Sequence, residues 1–166
     1  TLARLSIWRG RQVTKAEVKA LSRTEALQIY KAHYWDVVRG DELPLGLDYA
    51  VFDYAVNSGP ARAVKDLQSE LGFAGKAVDG VMGPMTLAAV RQVKDIAGLV
   101  LRLCERRWKF VQGLNRFSAF GKGWRRRIWG EQMGLQDGDT GVADRAVNLA
   151  KGAARDVPML KPAPER

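Results

Sequence analysis

The segment Leu47–Gly59, which reads LDYAVFDYAVNSG, constrains the fold more than any other part of the sequence. Its apolar and aromatic residues fall on every side of a helical wheel, so the pattern predicts a helix covered all round in the domain centre. The polar residues before its closing glycine are Asp48, Asp53, Asn57 and Ser58. Tyr49, Asp53 and Asn57 are spaced four apart and would form one polar stripe. Such a stripe predicts either a cleft wall or a hydrogen-bonded cluster inside a helical core.

Helix signals recur along the rest of the chain. Thr14–Glu17 and Ser22–Glu25 each match a capping box, in which a hydroxyl and a carboxylate satisfy the free amides of a helix start. A long amphipathic helix is predicted over Ile96–Asn115, followed by a glycine-bearing loop over Phe120–Gly123 and a helix over Trp124–Gln132. Sustained alternation of β-branched residues, the pattern of a half-buried strand, is not found. The sequence predicts an all-α fold.

Length and composition set limits on the class of protein. A chain of 166 residues with 46% hydrophobic and 27% charged residues fits one globular domain or two small lobes. No apolar run reaches the roughly 20 residues that a membrane-spanning helix needs, and no secretory signal is recognisable. The single cysteine, Cys104, and the single histidine, His33, exclude a disulfide framework and argue against a metal centre. We expect no metal and no cofactor.

The positive charge is concentrated in one part of the chain. Of the formal net charge of +9, most comes from residues 102–127, which contain nine lysines and arginines and one glutamate. A local basic field favours a polyanionic partner, such as nucleic acid, an anionic lipid surface or an acidic wall polymer. Aromatic residues are interleaved with these cations, as in stacking surfaces for single strands. At helical spacing, however, such rings more often belong to the core, with the arginines forming a solvated rim.

The turn Val78–Thr86, which reads VDGVMGPMT, is the sharpest short motif. Asp79 and Gly80 favour an Asx-type turn in which glycine takes a positive φ. Gly83 and Pro84 place a proline at the first position of the next helix, where its missing amide hydrogen costs nothing. These structural reasons are sufficient by themselves to explain the residues.

The same turn, with Leu67-Gln68, Leu71-Gly72 and Ala89-Val90 around it, also resembles peptidoglycan-binding modules, whose pattern is LQ…LG…VDGxxGPxT…AV. The chain as a whole resembles glycosyl hydrolase family 108, muramidases of the lysozyme superfamily with a peptidoglycan-binding C-terminal part. The residues that carry this second resemblance are Trp8–Arg11, Tyr34–Asp36, Arg39–Pro44, Leu47–Pro60 and Val78–Thr86.

The resemblance implies a lysozyme-like helical domain built around a central buried helix. It implies that residues 1–59 are the remainder of a catalytic domain and that residues 60–134 form a helical peptidoglycan-binding part. Residues 135–166 lie outside the resemblance, and their weak amphipathicity and closing prolines predict a loose tail. The implied substrate-binding residues are Tyr34, Trp35, Asp53, Asn57 and Ser58. The implied peptidoglycan-binding residues are Asp79, Gly80, Gly83, Pro84 and Thr86. A structural interpretation of Tyr34 and Trp35 as core aromatics stays open.

The chain departs from the family at the catalytic acid. The family's general acid is a glutamate in an EGG motif, and no such motif occurs in these 166 residues. We expect that acid to lie before Thr1. Glycoside hydrolysis needs a protonated carboxyl group beside the leaving oxygen. Asp53 and Glu42 are carboxylates near the implied cleft, but neither matches the motif, so no catalytic residue is assigned.

Two alternatives to a wall-cleaving muramidase follow from the same residues. The first is a module that binds peptidoglycan without cutting it, and the second is a basic nucleic-acid binder that depends on charge alone. For the muramidase we expect a monomer of bacterial or phage origin that acts in the periplasm or cell wall. Its partner would be peptidoglycan, with electrostatic contact to an anionic wall or membrane surface and no specific nucleic acid.

Overall fold

The structure, a computed structural model, describes residues 2–131 and 141–152. Within these ranges the chain forms helices and no strand, so the prediction of an all-α fold is confirmed. The α-helices are α1 (Leu2–Arg9), α2 (Lys15–Lys19), α3 (Arg23–Tyr30), α4 (Leu47–Ser58), α5 (Pro60–Glu70), α6 (Pro84–Gln92), α7 (Ile96–Gln112), α8 (Phe117–Trp129) and α9 (Val142–Ala150). A π-helical turn follows α3 at Lys31–Trp35, and short 3-10 turns occupy Gly40–Glu42 and Gly75–Ala77.

The chain divides into two compact units. The first unit consists of Thr1–Leu43 and Val51–Arg91, and the second of Pro44–Ala50 and Gln92–Arg166. Among the described residues, no helix combines the length and the apolar character required to cross a membrane.

Helix α4 is continuous from Leu47 to Ser58, as the apolar pattern predicts. Leu47, Val51 and Tyr54 are completely buried, whereas Asn57 near the last turn is exposed. The Tyr54 hydroxyl donates a hydrogen bond of 2.5 Å to Oδ2 of the buried Asp66 on α5. The helix is therefore an interior element along most of its length, and its one exposed residue, Asn57, lies in the last turn.

One of the two predicted capping boxes forms completely. The Thr14 hydroxyl accepts from the backbone of Glu17, and the Glu17 carboxylate accepts from the backbone of Thr14. At the second, the Ser22 hydroxyl accepts from the backbone of Glu25, but the predicted reciprocal bond, from the Ser22 backbone to the Glu25 carboxylate, does not form. That carboxylate instead accepts two hydrogen bonds from Arg9, at 2.8 and 2.7 Å. A bidentate arginine pair is a stronger interaction than a bond to one backbone amide.

Arg9 links the first three helices. Its guanidinium also pairs with Glu17 on α2 at 3.2 Å, and Arg11 pairs with the same carboxylate at 2.5 Å. The hydrogen bond from Arg11, together with that from the Thr14 backbone, lowers the pKa of Glu17 from 4.5 to about 2. The Arg9 bonds likewise lower the pKa of Glu25.

We expect this cluster to make the stability of the protein sensitive to acid. A carboxyl group whose pKa is lower in the folded than in the unfolded state stabilises fully above the unfolded value, and this contribution is lost as the pH falls. For Glu17 that loss occurs between about pH 4.5 and about pH 2. Melting temperatures measured across this window should fall less steeply for Glu17→Gln than for the wild type.

The matched control is Glu105→Gln on α7, which removes a carboxylate from a pair with Lys109 at 3.7 Å. This variant should retain the wild-type steepness. If Glu17→Gln and the wild type lost melting temperature in parallel down to pH 2, the hydrogen bonds that Glu17 accepts from Arg11 and Thr14 would not contribute to stability in solution.

In the second unit, α8 runs without interruption through Phe120–Gly123, so the predicted glycine-bearing loop was wrong. Phe117, Gly121 and Ile128 lie on one face of the helix. A Cβ atom at Gly121 would approach the Phe117 ring to 2.9 Å, so glycine here lets the ring pack against the helix backbone. The local tendency of glycine to end a helix is outweighed by this packing.

Helix α9 occupies part of the segment expected to be a loose tail. Val142, Ala143, Ala146 and Val147 are buried, and the helix packs mainly against α7. At Gly46, φ is +88° and an added Cβ would lie 2.1 Å from the Ala146 carbonyl oxygen, which shows how closely the backbones approach. The buried apolar residues of this helix recur at helical spacing, so its sequence is amphipathic and the expectation of a loose tail missed a recognisable pattern. The remainder of the predicted tail, residues 135–140 and 153–166, lies outside the described residues.

Candidate functional site

The two predicted aromatic platforms, Tyr34 and Trp35, both lie on the π-helical turn Lys31–Trp35. Wide turns of this kind occur often at functional sites, because the extra residue changes the direction of the side chains that follow. The two rings have different surroundings, and each is described in turn.

Tyr34 lines a pocket of about 190 Å³ in the first unit, called here the Tyr34 pocket. Leu5 and Ile29 contribute aliphatic walls, and Val56 enters from α4. The Arg4 guanidinium lies over the Tyr34 ring at 5.5 Å from its centre. Pockets that enclose a whole drug-sized molecule measure about 300–1,000 Å³, so this one can enclose only part of such a ligand.

Trp35 is held from three sides. Its indole nitrogen donates to the Asp41 carboxylate at 2.9 Å, and its ring meets Phe52 of α4 edge to face at 5.5 Å. A Cβ atom at Gly40 would lie 2.4 Å from the Trp35 ring, so only glycine permits the 3-10 turn to cover that face. The Arg39–Pro44 segment therefore has a structural role that sequence reasoning missed, namely to fix Trp35.

The polar stripe of α4 is not one uniform cleft wall. Asp53 is 7% exposed, Asn57 is exposed, and Ser58 is half-buried. The Asn57 side-chain amide donates to the backbone carbonyl of Asp53 at 2.8 Å, so the stripe is joined through the main chain. None of these three residues lines the Tyr34 pocket. Their assignment as substrate-binding residues stays a prediction.

Two carboxyl groups, those of Glu42 and Asp48, are candidates for the general acid of glycoside hydrolysis. The Glu42 carboxylate accepts two bonds from Arg39, at 2.5 and 2.8 Å, and Arg91 lies 3.8 Å away. Burial raises the pKa of Asp48, although its Oδ1 accepts from the backbone amides of Gly46 and Tyr49. A proton donor needs a protonated carboxyl aimed at the leaving oxygen. Glu42 is engaged as an ion-paired carboxylate, and Asp48 is engaged in its own turn.

The Val78–Thr86 motif is organised around a buried side chain, Gln68 of α5, which is 1% exposed. Its amide nitrogen donates to the Asp79 carboxylate at 2.7 Å, and to the Val81 carbonyl and the Thr86 hydroxyl at 3.1 Å each. Its amide oxygen accepts from the Gly80 backbone at 2.9 Å. One glutamine therefore ties the turn to the start of α6.

These residues also build a second pocket of about 230 Å³, called here the Gln68 pocket. Phe73, Val81 and Met85 supply apolar walls, and Val81 and Met85 are 62% and 72% exposed. The hydrogen bond from Gln68, supported by the Val81 amide, lowers the pKa of Asp79, so the pocket carries a negative charge at neutral pH. Large exposed apolar side chains beside a fixed charge are typical of a binding surface.

The structure thus brings together the motif residues predicted from the sequence. Asp79, Gly83, Pro84 and Thr86 all line the Gln68 pocket, and Gly80 takes a φ of +82° in the turn. Gln68 was missed as a site residue, although its Leu67-Gln68 step belongs to the pattern. Among the described residues, no group of three histidine, cysteine or acidic side chains is placed to hold a metal ion.

Comparisons with known proteins identify the family. The family model described as Glycosyl hydrolase 108 matches residues 1–59. The chain is 44% identical to the solved structure of Brucella abortus SagA, with a TM-score of 0.75, and the match covers 95% of this chain and 79% of that one. A search of curated proteins gave no match. Identity at this level over most of both chains shows that the protein belongs to glycosyl hydrolase family 108, a family of peptidoglycan hydrolases.

Proposed function

We propose that the protein acts in the periplasm or cell wall as an N-acetylmuramidase that cleaves the glycan of peptidoglycan, and that it holds the wall through the Gln68 pocket. The observation that carries the proposal is this pocket: the residues of the peptidoglycan-binding motif converge on one buried glutamine and line one concave surface. The family supplies the class of reaction.

The other predicted residues have roles in this proposal. Tyr34 contributes an aromatic ring to the wall of the Tyr34 pocket, where a sugar ring can contact it, and Trp35 is a second, rigidly held aromatic platform. Asn57, exposed at the end of α4, positions the glycan or a water molecule, and the buried Asp53 supports that turn through its carbonyl. No proton donor is assigned among these 166 residues, because the family's EGG glutamate is absent from them and Glu42 is ion-paired.

A sedimentation experiment with insoluble peptidoglycan tests the pocket. Met85→Glu puts a charge into an apolar wall at a position that is 72% exposed, so the fold should be unaffected while wall affinity drops about tenfold. The matched control is Leu27→Glu on α3, a change of the same kind at a 59% exposed position outside both pockets. Equal retention of the two variants on the wall would contradict the proposal.

A second candidate function is a module that binds the wall without cutting it. The engagement of Glu42 by Arg39 and of Asp48 by its own turn favours this candidate. Release of reducing sugar ends from the sedimented wall separates the two. Because no EGG glutamate occurs among these residues, release is measured with the chain joined to a segment that carries it. Binding with release then supports the muramidase, whereas binding without release, even with that segment present, supports the module.

A further inference from the structure

One surface of the second unit is not used by the proposed function. Along α8 and the residue before it, Arg116, Phe120, Trp124 and Arg127 are spaced four, four and three apart and lie on one side of the helix. We call this side the α8 basic face. Phe120 is 50% exposed, Arg116 and Arg127 are exposed, and Trp124 is half-buried. A Cβ atom added at Gly123, on the same side, would meet nothing within 4 Å.

The exposed ring is held in place by a row of aromatic contacts. The Phe120 and Trp124 rings lie 5.9 Å apart, the Trp124 and Phe117 rings 6.3 Å, and the Phe117 and Trp108 rings 5.6 Å. The row connects α8 to α7, against which it packs. Phe120 therefore presents apolar area to solvent with little conformational entropy left to lose when a partner covers it.

The charge around this ring is mostly positive, although Glu131 beyond the helix pairs with Arg126 at 2.5 Å. Helix α8 contains Lys122 and the run Arg125–Arg127, and between Phe117 and Trp129 there is no acidic residue. Leu114, just before the helix, is 36% exposed and adds a second apolar side chain. Cations around exposed aromatic and aliphatic groups are the composition of helices that lie in the headgroup region of a bilayer. A duplex nucleic acid would use the cations but offers Phe120 neither an apolar phase nor an unstacked base.

We propose that the α8 basic face docks on an anionic phospholipid surface, with Phe120 entering the headgroup boundary and the arginines contacting lipid phosphates. The face lies in the second unit and shares no residue with the Gln68 pocket in the first. Wall binding and lipid binding can therefore fail separately. Docking of this kind would hold a peptidoglycan hydrolase at the membrane surface, next to the peptidoglycan layer.

The test is co-sedimentation of the full chain with vesicles of phosphatidylcholine, with and without phosphatidylglycerol. We expect binding about tenfold stronger when the anionic lipid is present. Arg116→Glu should lower that binding about tenfold, whereas Lys94→Glu, the same charge change at an exposed position outside α8, should lower it much less. Phe120→Ser should lower binding even at high salt, where electrostatic attraction is screened. Lipids brominated on the acyl chain should quench tryptophan fluorescence, and Trp124→Phe should remove part of that quenching.

Gly123→Asp guards against a folding artefact, because open space surrounds that position and the new charge repels phosphate. Weakened vesicle binding by this variant, with unchanged wall binding, supports the proposal. Equal binding to neutral and anionic vesicles would overturn it, as would wild-type binding by Phe120→Ser at high salt. Complete displacement by duplex DNA, with no effect of Phe120→Ser, would show a general polyanion site instead.

Discussion

Replacing Gly46 with alanine is expected to lower the free energy of unfolding by about 2–5 kcal/mol. Two costs combine at this position. The φ of +88° is strained for a residue with a side chain, and the new Cβ would lie 2.1 Å from the Ala146 carbonyl oxygen. That oxygen is backbone in α9 and cannot rotate away. In a protein of this length, such a loss corresponds to a fall in melting temperature of roughly 5–20 °C.

A matched control is available in the same unit. Gly123 of α8 has helical backbone and open space around it, so Gly123→Ala should raise stability by about 0.5–1 kcal/mol. Thermal unfolding followed by circular dichroism measures both variants. Equal melting temperatures for Gly46→Ala and the wild type would mean that α9 does not pack against this turn in solution.

Gln68→Leu is expected to lower stability by about 2–4 kcal/mol and to abolish retention on peptidoglycan. Leucine has nearly the same volume but makes none of the four hydrogen bonds that Gln68 makes with the motif. The half-buried Gly80 amide would lose its bond of 2.9 Å, and the buried Thr86 hydroxyl would keep only its bond of 3.4 Å to the Val81 carbonyl. A buried polar group left without a partner costs about 1–3 kcal/mol. The turn would lose its link to α5, and the Gln68 pocket would lose its shape.

Thr86→Val provides the comparison for this effect. It removes the two hydrogen bonds of the Thr86 hydroxyl, the one accepted from Gln68 at 3.1 Å and the one donated to the Val81 carbonyl at 3.4 Å, and keeps the shape of the side chain. A loss of about 1–2 kcal/mol with most of the wall affinity retained is expected. Chemical denaturation gives the stabilities, and sedimentation with insoluble peptidoglycan gives the affinities. Undiminished wall retention by a folded Gln68→Leu variant would separate the motif from binding and leave it a purely structural turn.

Local signals in the sequence were sufficient for much of the fold. The apolar run of α4, the capping box at Thr14–Glu17 and the proline that begins α6 each determine a helix from neighbouring residues. The predictions of local structure were wrong where a contact with a residue elsewhere in the chain outweighs the local preference. Glu25 leaves its capping role for Arg9, sixteen residues away, and Gly121 stays helical because the Phe117 ring packs on it.

The candidate site shows the same division. The residues of the Val78–Thr86 turn were predicted from their order in the chain, since the turn and the start of α6 are local features. Gln68, the side chain around which the turn is organised, lies eleven residues before Asp79 and eighteen before Thr86, and it acts through tertiary hydrogen bonds. Likewise, the aromatic character of Trp35 is visible in the sequence, but its fixation by Asp41, Gly40 and Phe52 depends on the folded chain.

The π-helical turn at Lys31–Trp35 determines the direction in which the side chains after it point. One residue beyond the α-helical count rotates everything after it by about 100°, because an α-helix has 3.6 residues per turn. An uninterrupted continuation of α3 would thus aim the indole of Trp35 about a quarter turn away from Phe52 and from the glycine that covers it. Deletion of one residue from this turn would therefore separate the indole from all three of the groups that fix it, Asp41, Phe52 and Gly40, whereas a substitution at one of them would remove one contact.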